Sequence, residues 1–330
     1  MSPVSKDILS IRDDLTDRLP LKLGVATLRL RMQQVTVRVP ASTSNLGPGF
    51  DCLGVALRIY NKVTVTSDRL PEQPHPKVIS QAAGRFFKQA RRRAFPFSFS
   101  ITGEIPRSRG LGGSATIRLG ILHSLNRLSG DPLDRLTMFQ LCAELEGHPD
   151  NAAPASFGGF IVVQASATSS IRPEKRNARL SFQRFEVSGR LYFILLIPDF
   201  EIRTSLARRI LPSKISRLAA VESCANACSI AAAFASRDYR KLRGAFADYL
   251  HQPFRAKLMP FLPGVIAAAE KAGALGAFLS GSGSTICAIT SQYPDRVAAA
   301  MKRAARLACR TIVTRADNRG AQILNLKSEI

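Results

Sequence analysis

The sequence predicts an α+β protein, with strands and helices mixed through both halves of the chain. Three observations lead there. Stretches of strand character recur from near one end to the other, alternating at Val35 to Val39 and fully apolar at Leu191 to Ile197. Between them lie runs of helical spacing, such as Ile117, Ile121, Leu125 and Leu128. Three loops dense in glycine, serine and proline interrupt the pattern at 40–51, 106–116 and 280–285. No internal repeat is visible. A chain of 330 residues is long enough for two domains. The expected division is an extension over 1–33, one domain over 34–189 and a second over 190–330, with the polar stretch Ser166 to Ser181 marking the edge.

Taken in order, Val35 to Val39 reads as a strand ending at Pro40, followed by a turn-rich loop to Asp51. Lys62 to Ser67 alternates as a strand, and Pro71 to Lys77 is a proline-rich loop. Lys77 to Arg93 has helical periodicity and Phe97 to Gly103 strand character. A helix follows from Ser114 to Gly130, then one opened by Asp131 as cap and Pro132 at its first position, running to Glu146. Phe160 to Val163 and Leu191 to Ile197 are strands, and Thr204 and Arg208 lie one turn apart if helical. The alanine-rich run Ile215 to Ala235 reads as a buried helix and Asp238 to Leu250 as another. Val265 to Ala272 is a helix closed by Gly273, Gly276 to Leu279 and Ile286 to Ile289 are strands, a last helix runs from Pro294 to Cys309, and Thr311 to Thr314 is a strand.

Composition narrows the function. Hydrophobic residues make up 45% of the chain, which suits a globular protein, and no uninterrupted apolar run approaches the ~18 residues of a membrane span. Charges at Asp7, Arg12, Asp13, Asp14, Asp17 and Arg18 break up any signal-peptide core, and a cytoplasmic protein is expected. The six cysteines are scattered through apolar segments and read as buried, reduced thiols. Cys224 and Cys228 are one turn apart, with no histidine or third cysteine near them. The net charge of +23 would attract polyanions or anionic substrates. The basic residues are nevertheless dispersed, apart from Arg91-Arg92-Arg93, and tryptophan is absent, which argues against a nucleic-acid partner. Monomer and homodimer both fit the sequence.

The loop before the 114–130 helix suits a phosphate. Gly110, Gly112 and Gly113 permit positive φ, and Ser114 stands where free N–H groups and the positive end of the helix dipole would face a ligand. A tight turn before an ordinary helix is the plain alternative. The Gly-Lys-Ser/Thr of a P-loop is missing, and Gly110 is too far from the Phe97–Gly103 strand for a dinucleotide fingerprint.

Three loops in this order resemble the three signature motifs of the GHMP small-molecule kinases. Thr43 to Asp51 is similar to the Ser-x-Asn-Leu-Gly-x-Gly-Phe-Asp of the homoserine kinases in that family, and Glu146 to Ala155 repeats their Glu-Gly-His-Pro-Asp-Asn-x-Ala-Pro-Ala block. Two positions depart from the pattern: Gly113 stands for the first serine of Gly-Leu-Gly-Ser-Ser-Ala, and Ser284 for the proline of the third motif. The resemblance runs from about Val35 to the C-terminus. It implies a ribosomal-protein-S5-like N-terminal domain, a ferredoxin-like C-terminal domain, and ATP-dependent phosphorylation of homoserine on the route to threonine. Kinases of another small alcohol (mevalonate or a sugar) and a basic nucleic-acid-binding protein on a kinase scaffold are the alternatives.

The same resemblance implies a site. ATP would rest on Pro106, Arg107, Ser108 and Arg109, then Gly110, Leu111, Gly112 and Gly113, then Ser114, Ala115 and Thr116, with Gly281, Ser282 and Gly283 from the third motif. Mg²⁺ would be held by Ser114 and Glu144, with Glu146 as the alternative, since this ion takes one or two carboxylates plus phosphates and waters. Homoserine would meet Asp51 at its amino end with Asn45 nearby, Arg208 and Arg255 at its carboxylate, and Asn151. Thr204 would touch the substrate or the γ-phosphate, and His148 would fix its loop rather than act as a base. A zwitterion needs an anion at one end and cations at the other, and a guanidinium binds a carboxylate in bidentate fashion. No dedicated base is expected.

Overall fold

The computed structural model describes residues 33–67, 74–164 and 181–324. The expected extension thus falls almost wholly outside the described residues, as do 71–73 of the proline-rich loop and 166–180 of the expected domain edge.

One antiparallel sheet comprises β1 (Gln34–Ser44), β2 (Leu53–Ser67), β3 (Phe97–Gly103), β4 (Phe160–Gln164), β5 (Ser181–Phe185) and the short β10 (Gln322–Leu324), in the order β10-β1-β2-β4-β5 with β3 also on β2. β2 has 15 residues and, besides β1, serves two neighbours: Leu53–Val55 pair with β4, and Asn61–Ser67 with β3. Four helices cover this sheet: α1 (Lys77–Ala90), α2 (Gly113–Leu128), α3 (Arg135–Glu146) and α4 (Ala152–Phe157). Ile121, Leu122 and Leu125 of α2 and Phe86 of α1 pack on Val37, Val63 and Val65.

The second sheet is β6 (Tyr192–Pro198), β7 (Gly276–Leu279), β8 (Ile286–Thr290) and β9 (Cys309–Thr314), in the order β7-β8-β6-β9. β6 explains its unbroken apolar run. Ile194 and Leu196 pack into a core with α8 (Leu262–Lys271) and α9 (Pro294–Ala305). Phe193, Leu195 and Ile197 face the other way, into a core shared with Leu46, Leu53, Val55 and Leu57 of the first sheet. A strand covered on both faces has no polar side to show. This shared core fixes the 280–285 loop against the 45–51 and 106–116 loops.

Several sequence expectations need correction. β1 does not stop at Pro40; a register shift at Pro40/Ala41 absorbs the missing donor and the strand continues to Ser44. The cap of α3 is Asp134, which accepts from the Thr137 N–H, because Asn126 grips Leu133 through both its backbone groups and holds 131–133 as a turn. The 215–235 run is helical, as α6 (Arg217–Ser236), but it is not buried. Only Ser223, Ile230, Ala233 and Phe234 are, while Leu218 is 71% and Val221 59% exposed. Alanine favours helix without demanding burial. α6 is also long and apolar enough, at a mean hydropathy of 1.5, to cross a membrane by length and composition alone. Cys224 and Cys228 lie on it and are exposed, so the buried-thiol expectation fails for both.

Residues 238–250 form a 3₁₀ turn at Tyr239–Leu242 followed by turns, not a helix. Gly244 sits at φ 78°, and the Asp248 carboxylate accepts the N–H groups of Leu250, His251 and Gln252. α9 ends at Ala305, with Arg306 left-handed, so Cys309 already belongs to β9. α4, β5 and β10 are too short to announce themselves in the sequence. Among the described residues the remaining α-helices are α5 (Thr204–Arg209) and α7 (Gln252–Arg255).

Candidate functional site

The three glycine-bearing loops meet at their backbones. Gly110 has φ 72°, and a Cβ there would lie 2.1 Å from the Ser280 carbonyl oxygen. Gly112 has φ 68°, and its Cβ would lie 2.3 Å from Ser42 Oγ. A side chain at Gly110 would push against the backbone of the 280–285 loop, and one at Gly112 would displace the Ser42 hydroxyl. Ser280 Oγ donates to the Gly110 carbonyl (2.7 Å), and the Gly281 N–H donates to the Ser44 carbonyl (3.1 Å). Gly113 is different: the nearest atom to a Cβ there is 3.9 Å away, so no crowding requires this glycine.

Gly113 opens α2, so Ser114 and its neighbours present the unpaired N–H groups of a helix start. The predicted cradle divides by burial. Leu111, Ala115 and Thr116 are buried and can offer a ligand only backbone. Thr116 Oγ1 is taken by the Gly113 carbonyl and Asn61 Nδ2. Arg107 and Ser108 are exposed beside Pro106, whereas Arg109 donates to the Pro198 carbonyl and faces Glu201 at 3.4 Å. Ser282 shares a 3.2 Å hydrogen bond with Thr204, and the Gly283 N–H bonds Ser280.

These loops border a cavity of about 740 Å³. One wall is apolar, from Val78, Ile79, Phe99 and Ile101; the glycine loop lies beside Ser114 and Glu146; Asp51, Arg208 and Arg255 also line it.

Of the two candidate metal ligands, Glu146 faces this space. Its Oε2 accepts from Ser114 Oγ at 2.7 Å, and its Oε1 is gripped by Arg118. Glu144 is half exposed, pairs with Arg85 and does not line the cavity, so the preference for Glu144 is corrected. Among the described residues no group of three or more His, Cys, Asp or Glu side chains could hold a metal. One carboxylate and one hydroxyl at a helix start nevertheless fit the sparse protein set that Mg²⁺ accepts when phosphate oxygens complete its shell.

The acceptor candidates come from four separate segments. Asp51 takes Arg208 in bidentate fashion, at 2.7 and 2.9 Å, with both side chains about a third exposed. That hydrogen bond raises the Arg208 pKa above its ordinary value. Arg255 is only 2% exposed. Its Nε donates to Ala207, and its Nη1 to Gly281 and His251 Nδ1. Burial, helped by the charge of Arg208, lowers its pKa to about 10. Asn45 is spent on structure, accepting the Asp51 N–H and donating to Gly281. Asn151 is similarly engaged, with Ser42 and Ser44. His148 Nδ1 and Asp150 Oδ1 lie 2.6 Å apart. Burial alone would lower the histidine's pKa and raise the aspartate's; their mutual hydrogen bond and charges outweigh it and move each the other way.

Sequence reasoning passed over Phe50, Ser280 and His251. The Phe50 ring lies under both cations, 5.5 Å from the Arg208 guanidinium and 5.2 Å from that of Arg255. The available signals were its place between Gly49 and Asp51, and the four-residue spacing of His251 and Arg255.

Residues 77–159 match the GHMP kinases N terminal domain, and residues 230–307 match the GHMP kinases C terminal region. The chain is 34% identical over 313 residues to a homoserine kinase of Caldicellulosiruptor bescii, covering 89% of this chain and 98% of that one. It is 37% identical over 269 residues to a homoserine kinase of Deinococcus radiodurans, covering 78% and 84%. Among solved structures, a homoserine kinase from Cytophaga hutchinsonii superposes with a TM-score of 0.77 at 25% identity, covering 88% and 97%.

Proposed function

The chain belongs to the GHMP kinases, with its relatives among the homoserine kinases, and from that premise we propose that it transfers the γ-phosphoryl group of ATP to the hydroxyl of L-homoserine, giving O-phospho-L-homoserine for threonine biosynthesis. The observation that carries this reading is one cavity lined both by a phosphate-suited helix start and by Asp51, Arg208 and Arg255. A cytoplasmic location goes with it. In the division proposed, 34–189 binds the nucleotide and 190–330 completes the site.

The apolar wall of Val78, Ile79, Phe99 and Ile101 suits a purine, and the N–H groups of the α2 start suit the phosphates. Ser114 and Glu146 would hold Mg²⁺, which when bound neutralises phosphate charge. The Asp51–Arg208 pair already balances its own charges. Homoserine is a zwitterion, so it can enter by exchange: its ammonium takes Asp51 and its carboxylate takes Arg208 beside Arg255, so neither member of the opened pair loses its counter-charge. Its hydroxyl then attacks the phosphoryl group directly, with positioning and charge stabilisation as the sources of rate. The His148–Asp150 contact favours a second reading, in which His148 is a general base.

Steady-state assays with homoserine, mevalonate and galactose test the substrate. Homoserine should turn over with by far the highest kcat/KM; an inert homoserine beside an active rival alcohol refutes the reading.

A further inference from the structure

Arg255 is held in place by a residue that touches no ligand-facing surface. His251 is fully buried, and its ring lies 5.2 Å from that of Phe50. Its Nδ1 is 3.2 Å from Arg255 Nη1 and its Nε2 is 2.8 Å from the Gly47 carbonyl oxygen. A guanidinium can only donate, so Nδ1 must be the bare, accepting nitrogen. The proton is then on Nε2, where Gly47, with Asp248 Oδ2 at 3.3 Å, receives it. Burial holds the imidazole neutral, with its pKa lowered to about 4, so this acceptor persists at ordinary pH.

We propose that His251 is a positioning residue for the acceptor site: as the Nε2–H imidazole it takes Arg255 through Nδ1, ties it to the turn at Gly47, and so presents the rest of the guanidinium to the acceptor's carboxylate. Two further observations support this. Arg255 Nε and Nη1 are committed to Ala207, Gly281 and His251, while among the described residues Nη2 has no hydrogen-bond partner and the side chain lines the cavity. Phe50 packs on both His251 and Arg255, so ring and guanidinium share one support. The proposal rests on the reading of Arg255 as a carboxylate ligand.

The test separates the two nitrogens. His251→Asn keeps an acceptor near the Nδ1 position, His251→Gln keeps a donor near the Nε2 position, and His251→Leu keeps neither. A charge-assisted hydrogen bond lost to Arg255 should raise the homoserine KM about 10-fold or more in the Gln and Leu variants. The Asn variant should stay within about threefold of wild type, and the ATP KM within about twofold in all three. In an Arg255→Ala background, His251→Gln should add nothing further. Equal homoserine KM values for Asn and Gln, or an ATP KM rising in step, overturns the proposal even if the Leu variant does not fold. Arg255→Ala alone tests the underlying reading: if it leaves the homoserine KM unchanged, Arg255 does not bind the acceptor. If it raises that KM while His251→Gln does not, only the role of His251 falls.

Discussion

The two functional regions of the cavity are built differently. The phosphate side is made of backbone: Gly110 and Gly112 stand where a Cβ would strike Ser280 or Ser42, and the donors are the N–H groups of a helix start. The acceptor side is made of side chains from distant segments, and these are already engaged with one another and with backbone. Asp51 holds Arg208, Phe50 lies under two cations, and Arg255 is committed on two of its three nitrogens. A backbone cradle tolerates many nucleotide poses and needs no partner in waiting. A pre-paired side-chain site favours a ligand that brings both charges at once.

The largest expected effect lies on the phosphate side. Glu146→Gln removes a charge without changing shape and should lower kcat by about 100-fold or more, as the loss of preorganised electrostatic stabilisation does. Glu144→Gln should stay within about threefold of wild type, since an exposed ion pair contributes little. Turnover assays at saturating Mg²⁺ check both; the reverse pattern would restore Glu144.

Gly112→Ala tests whether that cradle is backbone. The φ of 68° would cost about 1–2 kcal/mol. The contact with Ser42 would add about 1–3 kcal/mol of overpacking. Gly113→Ala has open space and should be close to neutral. Urea midpoints for the two variants should differ clearly, and similar midpoints would mean the loops do not interlock.

A smaller effect separates the two mechanisms. Without a base, His148→Asn should lower kcat by less than about 10-fold, because general-base loss would cost about 100-fold or more. A large loss together with an acid limb near the raised pKa of His148 would make it the base.

The smallest effect concerns pH. Two histidines are buried and neutral, His123 on α2 and His251 behind Arg255, with pKa lowered by burial to about 4 from 6.5. The unfolded chain binds these protons below pH 6.5 and the folded one does not. Their stability is therefore fully present above pH 6.5 and falls as the pH drops towards 4, by about 3 kcal/mol each. His148, with its pKa raised, works in the opposite sense. Denaturation midpoints between pH 7.5 and 4.5 should fall less steeply in His123→Leu than in wild type; parallel curves would contradict this.

The same contrast decides what the sequence could reveal. The glycines are local demands of the chain, and their spacing was legible along with the α+β mixture and most strands of both sheets, though not β5 or β10. The choice between Glu144 and Glu146 was not. Residues two apart on a helix are about 200° apart, so only one can face the loop, and the phase is set by how α3 seats its buried Leu141 and Cys142 against the neighbouring helices. Nor could Asp51 be foreseen in the grip of Arg208, which is 157 positions away. α6 misled for another reason: apolar periodicity reports helix readily and burial only through packing partners, which alanine does not require.

The central claim is that the acceptor site recognises both charges of an amino acid. The most direct measurement is kcat/KM for homoserine and for 3-amino-1-propanol, which is homoserine without the carboxylate, in wild type, Arg208→Ala, Arg255→Ala and the double variant. Charge-assisted hydrogen bonds of about 1.5–3 kcal/mol predict a loss of roughly 10- to 150-fold for homoserine in each single variant, with non-additive loss in the double. The amino alcohol, poor already in wild type, should change little. Equal losses on both substrates would contradict the account and move the arginines from carboxylate recognition to the nucleotide or the fold.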